Sequence, residues 1–131
     1  MTAARILVVD DNDAIRIVVS EMLCRIGYEV SAADSGENGL NLFLKYNFDI
    51  VLSDYEMPGM NGVAMACRIK RNSPGVPVII MTGSGQASMI TRKINAVDEV
   101  IAKPFCLDEL DATIRNLLEK RFGLTPHAAV E

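Results

Sequence analysis

The chain has 131 residues, which suits one domain of ordinary size. Half of them are hydrophobic, enough to build a core without disulfides or a structural metal. A formal net charge of −4 argues against direct nucleic-acid binding through phosphate contacts, because that mode needs a basic face.

The elements alternate along the chain. Ile6-Leu7-Val8-Val9 is a short, β-branched apolar run and reads as a buried strand. After Asp10-Asp11-Asn12-Asp13, apolar residues recur with helical spacing at Ile15, Val18, Val19, Met22, Leu23 and Ile26. Gly27 ends that helix. Tyr28 to Ala33 reads as a second strand, and Asp34-Ser35-Gly36-Glu37 as a turn and helix start. The second helix runs through Leu40, Phe43 and Leu44 to about Tyr46. Asp49 to Ser53 is a third strand that ends at Asp54. Met57 to Gly62 has loop composition, and a helix follows from about Val63 to Arg71. Asn72 to Gly75 is a turn, and Val78 to Thr82 a fourth strand. Gly83-Ser84-Gly85 opens a mobile loop, and a fourth helix is expected up to about Asn95. Val100-Ile101-Ala102 is a fifth strand closed by Lys103-Pro104-Phe105, and the last helix spans about Leu107 to Arg121.

Residues 1–123 are expected to form one domain and 124–131 a flexible tail. The only histidine, His127, falls in that tail and reads as a solvated residue. Cys24, Cys67 and Cys106 are far apart, form no Cys-x-x-Cys pair, and read as small buried hydrophobes. No basic segment precedes a long apolar stretch, so neither a signal peptide nor membrane association is expected, and the chain is assigned to the cytoplasm.

Strands alternating with helices imply a parallel sheet covered on both faces. Five strands suit the doubly wound order 2-1-3-4-5, which places a ligand crevice at the carboxyl ends of strands one and three. Asp10-Asp11, Asp54, Thr82 and Lys103 each stand where a strand leaves the sheet, so all five should meet at one edge. Singly, each has an ordinary explanation. Asp10, Asp11 or Asp13 would serve as helix caps, Asp54 as a turn residue, Thr82 as strand filler and Lys103 as a solvated charge. Together they do not. At an effective dielectric near 20, two carboxylates about 4 Å apart repel by on the order of 4 kcal/mol. A cation offsets that repulsion, and an all-oxygen cluster suits Mg²⁺. An ionised carboxylate can attack phosphorus to give an acyl phosphate, with a divalent ion, a lysine and a threonine hydroxyl stabilising the charge.

Val8-Val9-Asp10-Asp11, the run from Asp54 to Gly62, Met81-Thr82-Gly83 and Lys103-Pro104-Phe105 resemble the motifs of two-component response-regulator receiver domains, in that family's order and spacing. The match covers about residues 5 to 121. The resemblance implies a flavodoxin-like, CheY-like (βα)5 fold and a phosphorylation switch, expected to stand alone, with the receiver piece of a longer regulator as the alternative. It implies that Asp54 is the phosphoacceptor and that Asp11 binds Mg²⁺ directly, Asp10 through water, and Glu56 through its backbone carbonyl. Lys103 would pair with the phosphate, Thr82 would move toward it, and the Lys103–Pro104 bond would be cis. The phosphodonor would be a sensor histidine kinase, a phosphotransfer protein or a small molecule such as acetyl phosphate. Output to an unidentified protein target would leave from the fourth helix, fifth strand and fifth helix, with Met89, Ile90 and Ile101 as candidates there or, equally on pattern, as plain core packing. Such a domain is a signalling phosphoacceptor rather than an enzyme, although it promotes its own phosphotransfer and dephosphorylation.

The sequence departs from the family at three places. Val100 stands where an aromatic residue usually swings with the threonine, Ala96-Val97 replaces the usual Gly-Ala, and Gly83 replaces the usual alanine. These departures point to the loop at 83–88 as the carrier of the change. Two other classes remain to be weighed. A flavoprotein would need a Ser/Thr/Gly-rich phosphate loop after strand one, where this chain has four acidic or amide residues. An aspartyl phosphohydrolase would carry a second aspartate at position 12, which here is Asn.

Overall fold

The computed structural model describes residues 3–83 and 95–123. Five strands are present: β1 (Arg5–Val9), β2 (Glu29–Ala33), β3 (Ile50–Asp54), β4 (Val78–Thr82) and β5 (Glu99–Ala102). Three helices, α1 (Asp13–Arg25), α2 (Gly36–Lys45) and α3 (Gly62–Asn72), precede β4, and a C-terminal helix spans Leu107–Phe122. The expected fourth helix, the loop beyond Gly83 and the tail with His127 lie outside the described residues. So do Met89 and Ile90.

The sheet is parallel throughout, in the order β2-β1-β3-β4-β5. Alternate side chains of each inner strand go to opposite faces, and the apolar residues sort accordingly. Leu7 and Val9, Val51, and Val78 and Ile80 join Phe43 of α2 and Met65, Ala66 and Ile69 of α3 in one core. Ile6 and Val8, Ile50 and Leu52, and Ile79 and Met81 join Val19 and Leu23 of α1 and Leu110 and Ile114 of the C-terminal helix in the other. Each fully buried Leu or Ile contributes roughly 1.5–3 kcal/mol, so a one-residue slip that exchanged the two faces is heavily disfavoured. That burial locks the register, and the register sets the rim.

Helix starts follow local chemistry. Asn12, Ser35 and Asn61 cap α1, α2 and α3, each side chain accepting the backbone N–H three residues on, from Ile15, Asn38 and Ala64. Asn12 thus takes the capping role for which the neighbouring aspartates are also candidates. Gly123, in the left-handed region, ends the C-terminal helix.

Three expectations are corrected. Cys24, Cys67 and Cys106 are all exposed rather than buried. Cys24 and Cys67 sit on the outer sides of α1 and α3, whose inner sides are already filled by Leu23 and Ala66. Val18 shares the helical spacing of Val19 but is 53% exposed, as is Ile17. Ile101, a candidate for the output surface, is buried in the core beneath α1 and the C-terminal helix.

Gly62 connects core and rim. Its N–H donates to the Tyr55 carbonyl at 3.0 Å. A Cβ there would collide with the Asp54 carbonyl oxygen and come within 3.1 Å of both Ile80 Cδ1 and Ser53 Oγ. Gly62→Ala should therefore destabilise the domain by about 1–3 kcal/mol, as overpacking against backbone does. Urea unfolding should show a lower midpoint at unchanged slope. An unchanged midpoint would mean that the β3–α3 turn yields freely.

Candidate functional site

The register puts the site together. Val9 pairs with Ser53, so one step further along both strands Asp10 lies beside Asp54. Asp54 pairs with Met81, Thr82 pairs with Ala102, and Lys103 follows. The five residues singled out from the sequence thus stand on one rim, at the switch point where β1 and β3 are neighbours.

Carboxylate oxygens of Asp10, Asp11 and Asp54 lie within 4.8 Å of one another. Lys103 Nζ donates to Asp54 Oδ1 at 2.9 Å and stands 3.8 Å from Asp10 Oδ2. The Lys103 N–H donates to the Thr82 carbonyl at 2.7 Å, which ties the lysine to the end of β4. The Lys103–Pro104 peptide is cis, as expected. Glu56 is exposed and lines a neighbouring groove with Asp11, Tyr55, Met57, Pro58 and Asn61.

The three carboxylates differ in access. Asp10 is fully buried, Asp54 is 8% exposed, and Asp11 is exposed. Asp54 is therefore the carboxylate that combines a lysine partner with an opening to solvent. Asp10 Oδ1 accepts the Asn12 N–H at 2.9 Å, but its buried Oδ2 has no hydrogen-bond partner. A buried oxygen of this kind is costly unless a cation meets it. The donor set is all oxygen, acidic and open on one side, and it fits a hard divalent ion such as Mg²⁺.

Burial pushes the Asp10 carboxyl above its ordinary value of 3.8, and the neighbouring Asp54 and Asp11 charges add to the rise. The Asn12 amide and Lys103 oppose it.

Two features were not singled out in the sequence. Arg16 folds back across the start of α1 to reach the Asp10 carbonyl. A groove of about 510 Å³ runs beside Lys103, walled by Ala14, Ile15, Val18, Val19 and Met22 of α1 and by Pro104 and Phe105. The exposed Val18 marks it, yet nothing in the spacing of α1 distinguishes Val18 from its buried neighbour. Val100, at the position of the family's aromatic switch, is half-buried against the core under α2 and α3.

Fold and site together define a doubly wound α/β domain with an acidic, lysine-paired cluster at its switch point. Comparison with known proteins narrows this. Residues 6–115 match the model of the response regulator receiver domain. Sporulation initiation phosphotransferase F of Bacillus subtilis is 35% identical over 90% of this chain and 96% of its own length. The "Probable transcriptional regulator ycf27" of Guillardia theta is 38% identical over 91% of this chain, which spans about half (47%) of that relative. Among solved structures, a response regulator receiver domain protein from Clostridium thermocellum superposes with a TM-score of 0.83 at 31% identity, covering 90% of this chain and 96% of that one. TrrA of Thermotoga maritima, solved in complex with Mg²⁺-BeF, superposes at 0.78 with 36% identity over 87% of this chain and 98% of its own. The chain belongs to the response regulator receiver domain family, the signalling modules of two-component systems.

The raised Asp10 pKa has a signed consequence. In the folded state Asp10 holds its proton to a higher pH than in the unfolded chain, so its ionisation disfavours folding at neutral pH. In metal-free protein, the Asp10 contribution should become less unfavourable as pH falls through the raised folded value, and should level off below about 3.8. Asp10→Asn should raise the urea midpoint of the metal-free protein at pH 7, with the gain shrinking as the pH falls. A midpoint at pH 7 equal to that of wild type would argue against a costly buried charge.

Proposed function

We propose that Asp54 accepts a phosphoryl group, with Mg²⁺ held by Asp10, Asp11, Asp54 and the Glu56 backbone carbonyl. The observation that carries this reading is the convergence of three carboxylates, one with a buried oxygen that makes no hydrogen bond, on a lysine 2.9 Å from Asp54. Mg²⁺ captured by TrrA and the phosphotransferase name of the Bacillus subtilis relative support it.

In this reading an Asp54 carboxylate oxygen attacks phosphorus. The bond from phosphorus to the donor breaks, and its electron pair leaves with the donor's imidazole nitrogen or acyl oxygen. An acyl phosphate remains on Asp54. When bound, Mg²⁺ would neutralise charge on the phosphoryl oxygens. Lys103 already bridges Asp54 and Asp10, and it would turn to a phosphoryl oxygen once one arrives. Thr82, buried at the neighbouring strand end, would donate its hydroxyl to another.

The product adds about −1.5 to −2 charges and three acceptor oxygens. Shifting a two-state surface from 1:99 to 99:1 needs about 5.5 kcal/mol of differential contact, which charge-assisted bonds to Lys103 and Thr82 together with Mg²⁺ are of a size to supply. The output face is assigned to the expected fourth helix, β5 and the C-terminal helix, and the target to a protein. The acidic balance of the chain disfavours direct nucleic-acid binding. No described helix is long and apolar enough to cross a membrane.

The phosphodonor is assigned to a histidine kinase or phosphotransfer protein, with acetyl phosphate as a small substitute. The apolar groove supports a protein donor, because Lys103 belongs to both groove and acceptor site. A helix seated there would have its reactive side chain within reach of Asp54.

Intact mass spectrometry after acetyl phosphate treatment should show one phosphoryl adduct that requires both Mg²⁺ and Asp54. Asp54→Asn or EDTA should abolish it. An adduct that persists in Asp54→Asn would move the acceptor elsewhere. Val18→Asp should leave acetyl phosphate labelling intact while slowing transfer from a protein donor by about tenfold, the factor that 1.4 kcal/mol of lost contact represents.

A further inference from the structure

The end of β1 faces a geometric problem. Within three residues the chain must leave the sheet, start α1, and hold two adjacent carboxylates at one point. The anchors of Asp10 show how this is solved. Its N–H donates to the Ala33 carbonyl on β2 at 3.1 Å. Its Oδ1 accepts the Asn12 N–H. Its carbonyl accepts Arg16 Nη1 at 2.9 Å, while Arg16 Nη2 donates to Asp13 Oδ1 at 2.7 Å.

The last pair of bonds is the informative one. An ordinary Asp–Arg pair three residues apart on a helix surface contributes a few tenths of a kcal/mol and leaves the guanidinium in water. Here the Arg16 side chain is only 18% exposed, and one arm of its fork is bonded to main chain rather than to a carboxylate. The peptide that it grips joins Asp10 to Asp11. That unit is planar, with its carbonyl and N–H pointing in opposite directions. Fixing the carbonyl therefore fixes the plane, and with it the direction in which Asp11 departs. The Asp11 side chain makes no hydrogen bond to any described residue, so its placement rests on its backbone alone.

We propose that Arg16 is a positioning residue for the cation site: by clamping the Asp10–Asp11 peptide it sets how both carboxylates face Asp54. The proposal rests on the Mg²⁺-dependent acceptor reading above. Arg16 touches neither the cation nor the phosphoryl group, and acts through the two aspartates.

Charge and geometry predict opposite signs, which makes the role testable. Through its charge alone, Arg16 repels a divalent ion, so removing it should tighten Mg²⁺ binding. Through its clamp, removing it should weaken binding, as loss of a supporting hydrogen bond behind metal ligands does. The experiment is calorimetric titration of Mg²⁺ into the full chain for wild type, Arg16→Ala and Arg16→Lys, with acetyl phosphate labelling followed over a range of Mg²⁺ concentrations. Arg16→Ala is expected to weaken Mg²⁺ binding about tenfold. Its labelling rate should return to the wild-type value at saturating Mg²⁺, because the defect lies in assembling the site. Arg16→Lys, which keeps one donor and the charge, should recover most of the affinity and provides the readout if the alanine variant folds poorly. Unchanged or tighter Mg²⁺ binding in Arg16→Ala, with or without a lower melting temperature, would overturn the proposal and leave Arg16 a stabilising residue only. Wild-type protein that neither binds Mg²⁺ nor labels would overturn the acceptor reading itself, and this proposal with it.

Discussion

Everything at the rim of this domain answers to the repulsion among Asp10, Asp11 and Asp54. Their oxygens lie within 4.8 Å of each other, and Asp10 is fully buried. Lys103 offsets part of the repulsion, at 2.9 Å from one carboxylate and 3.8 Å from another. One lysine does not balance three carboxylates, and Asp10 keeps an oxygen with no hydrogen bond. The site is thus left short of positive charge. That deficit fits the site to a cation such as Mg²⁺ and, in the function proposed above, to a phosphoryl group.

A site built on repulsion survives only if the scaffold cannot relax away from it. Two apolar cores supply that rigidity, one on each face of the sheet, each made of alternate side chains from the same strands. Sliding a strand to separate the carboxylates would expose a full row of Val, Leu and Ile. Close backbone approaches extend the constraint to the loops. Gly62 lies against the Asp54 carbonyl, and Gly36 lies against Met60 in the turn after β3. The other edge of the site is formed by the ends of β4 and β5. There Thr82 and Lys103 are joined through main chain, and Val100 provides no aromatic ring to move with them.

Much of this was legible in the sequence because it depends on local patterns. Among the described residues, strand and helix bounds fall within a residue of their expected places, since β-branched runs, helical spacing and the caps at Asn12, Ser35 and Asn61 act over a few neighbours. The convergence of Asp10, Asp11, Asp54, Thr82 and Lys103 was legible for a different reason. In a parallel doubly wound sheet every strand points the same way, so strand ends share an edge. The misses share a cause as well. Residue type and spacing suggest burial for Val18 and the three cysteines, but burial depends on which helix face meets the sheet and how wide that face is; Ile101, a surface candidate only by resemblance, is held in the core by its strand.

The sequence by itself determined the order of elements, the parallel sheet and the set of residues at its rim, because each follows from periodicity along one segment or from the direction of the strands. It also determined the family, because separate motifs had to agree. Only the tertiary structure decided which carboxylate is sealed and which is open, which oxygen lacks a partner, and where Lys103 divides its charge. It alone placed Arg16 on the Asp10 carbonyl and opened the groove beside α1. These depend on distances between segments far apart in the chain, which no local pattern encodes and which only the packing of helices onto the sheet can set.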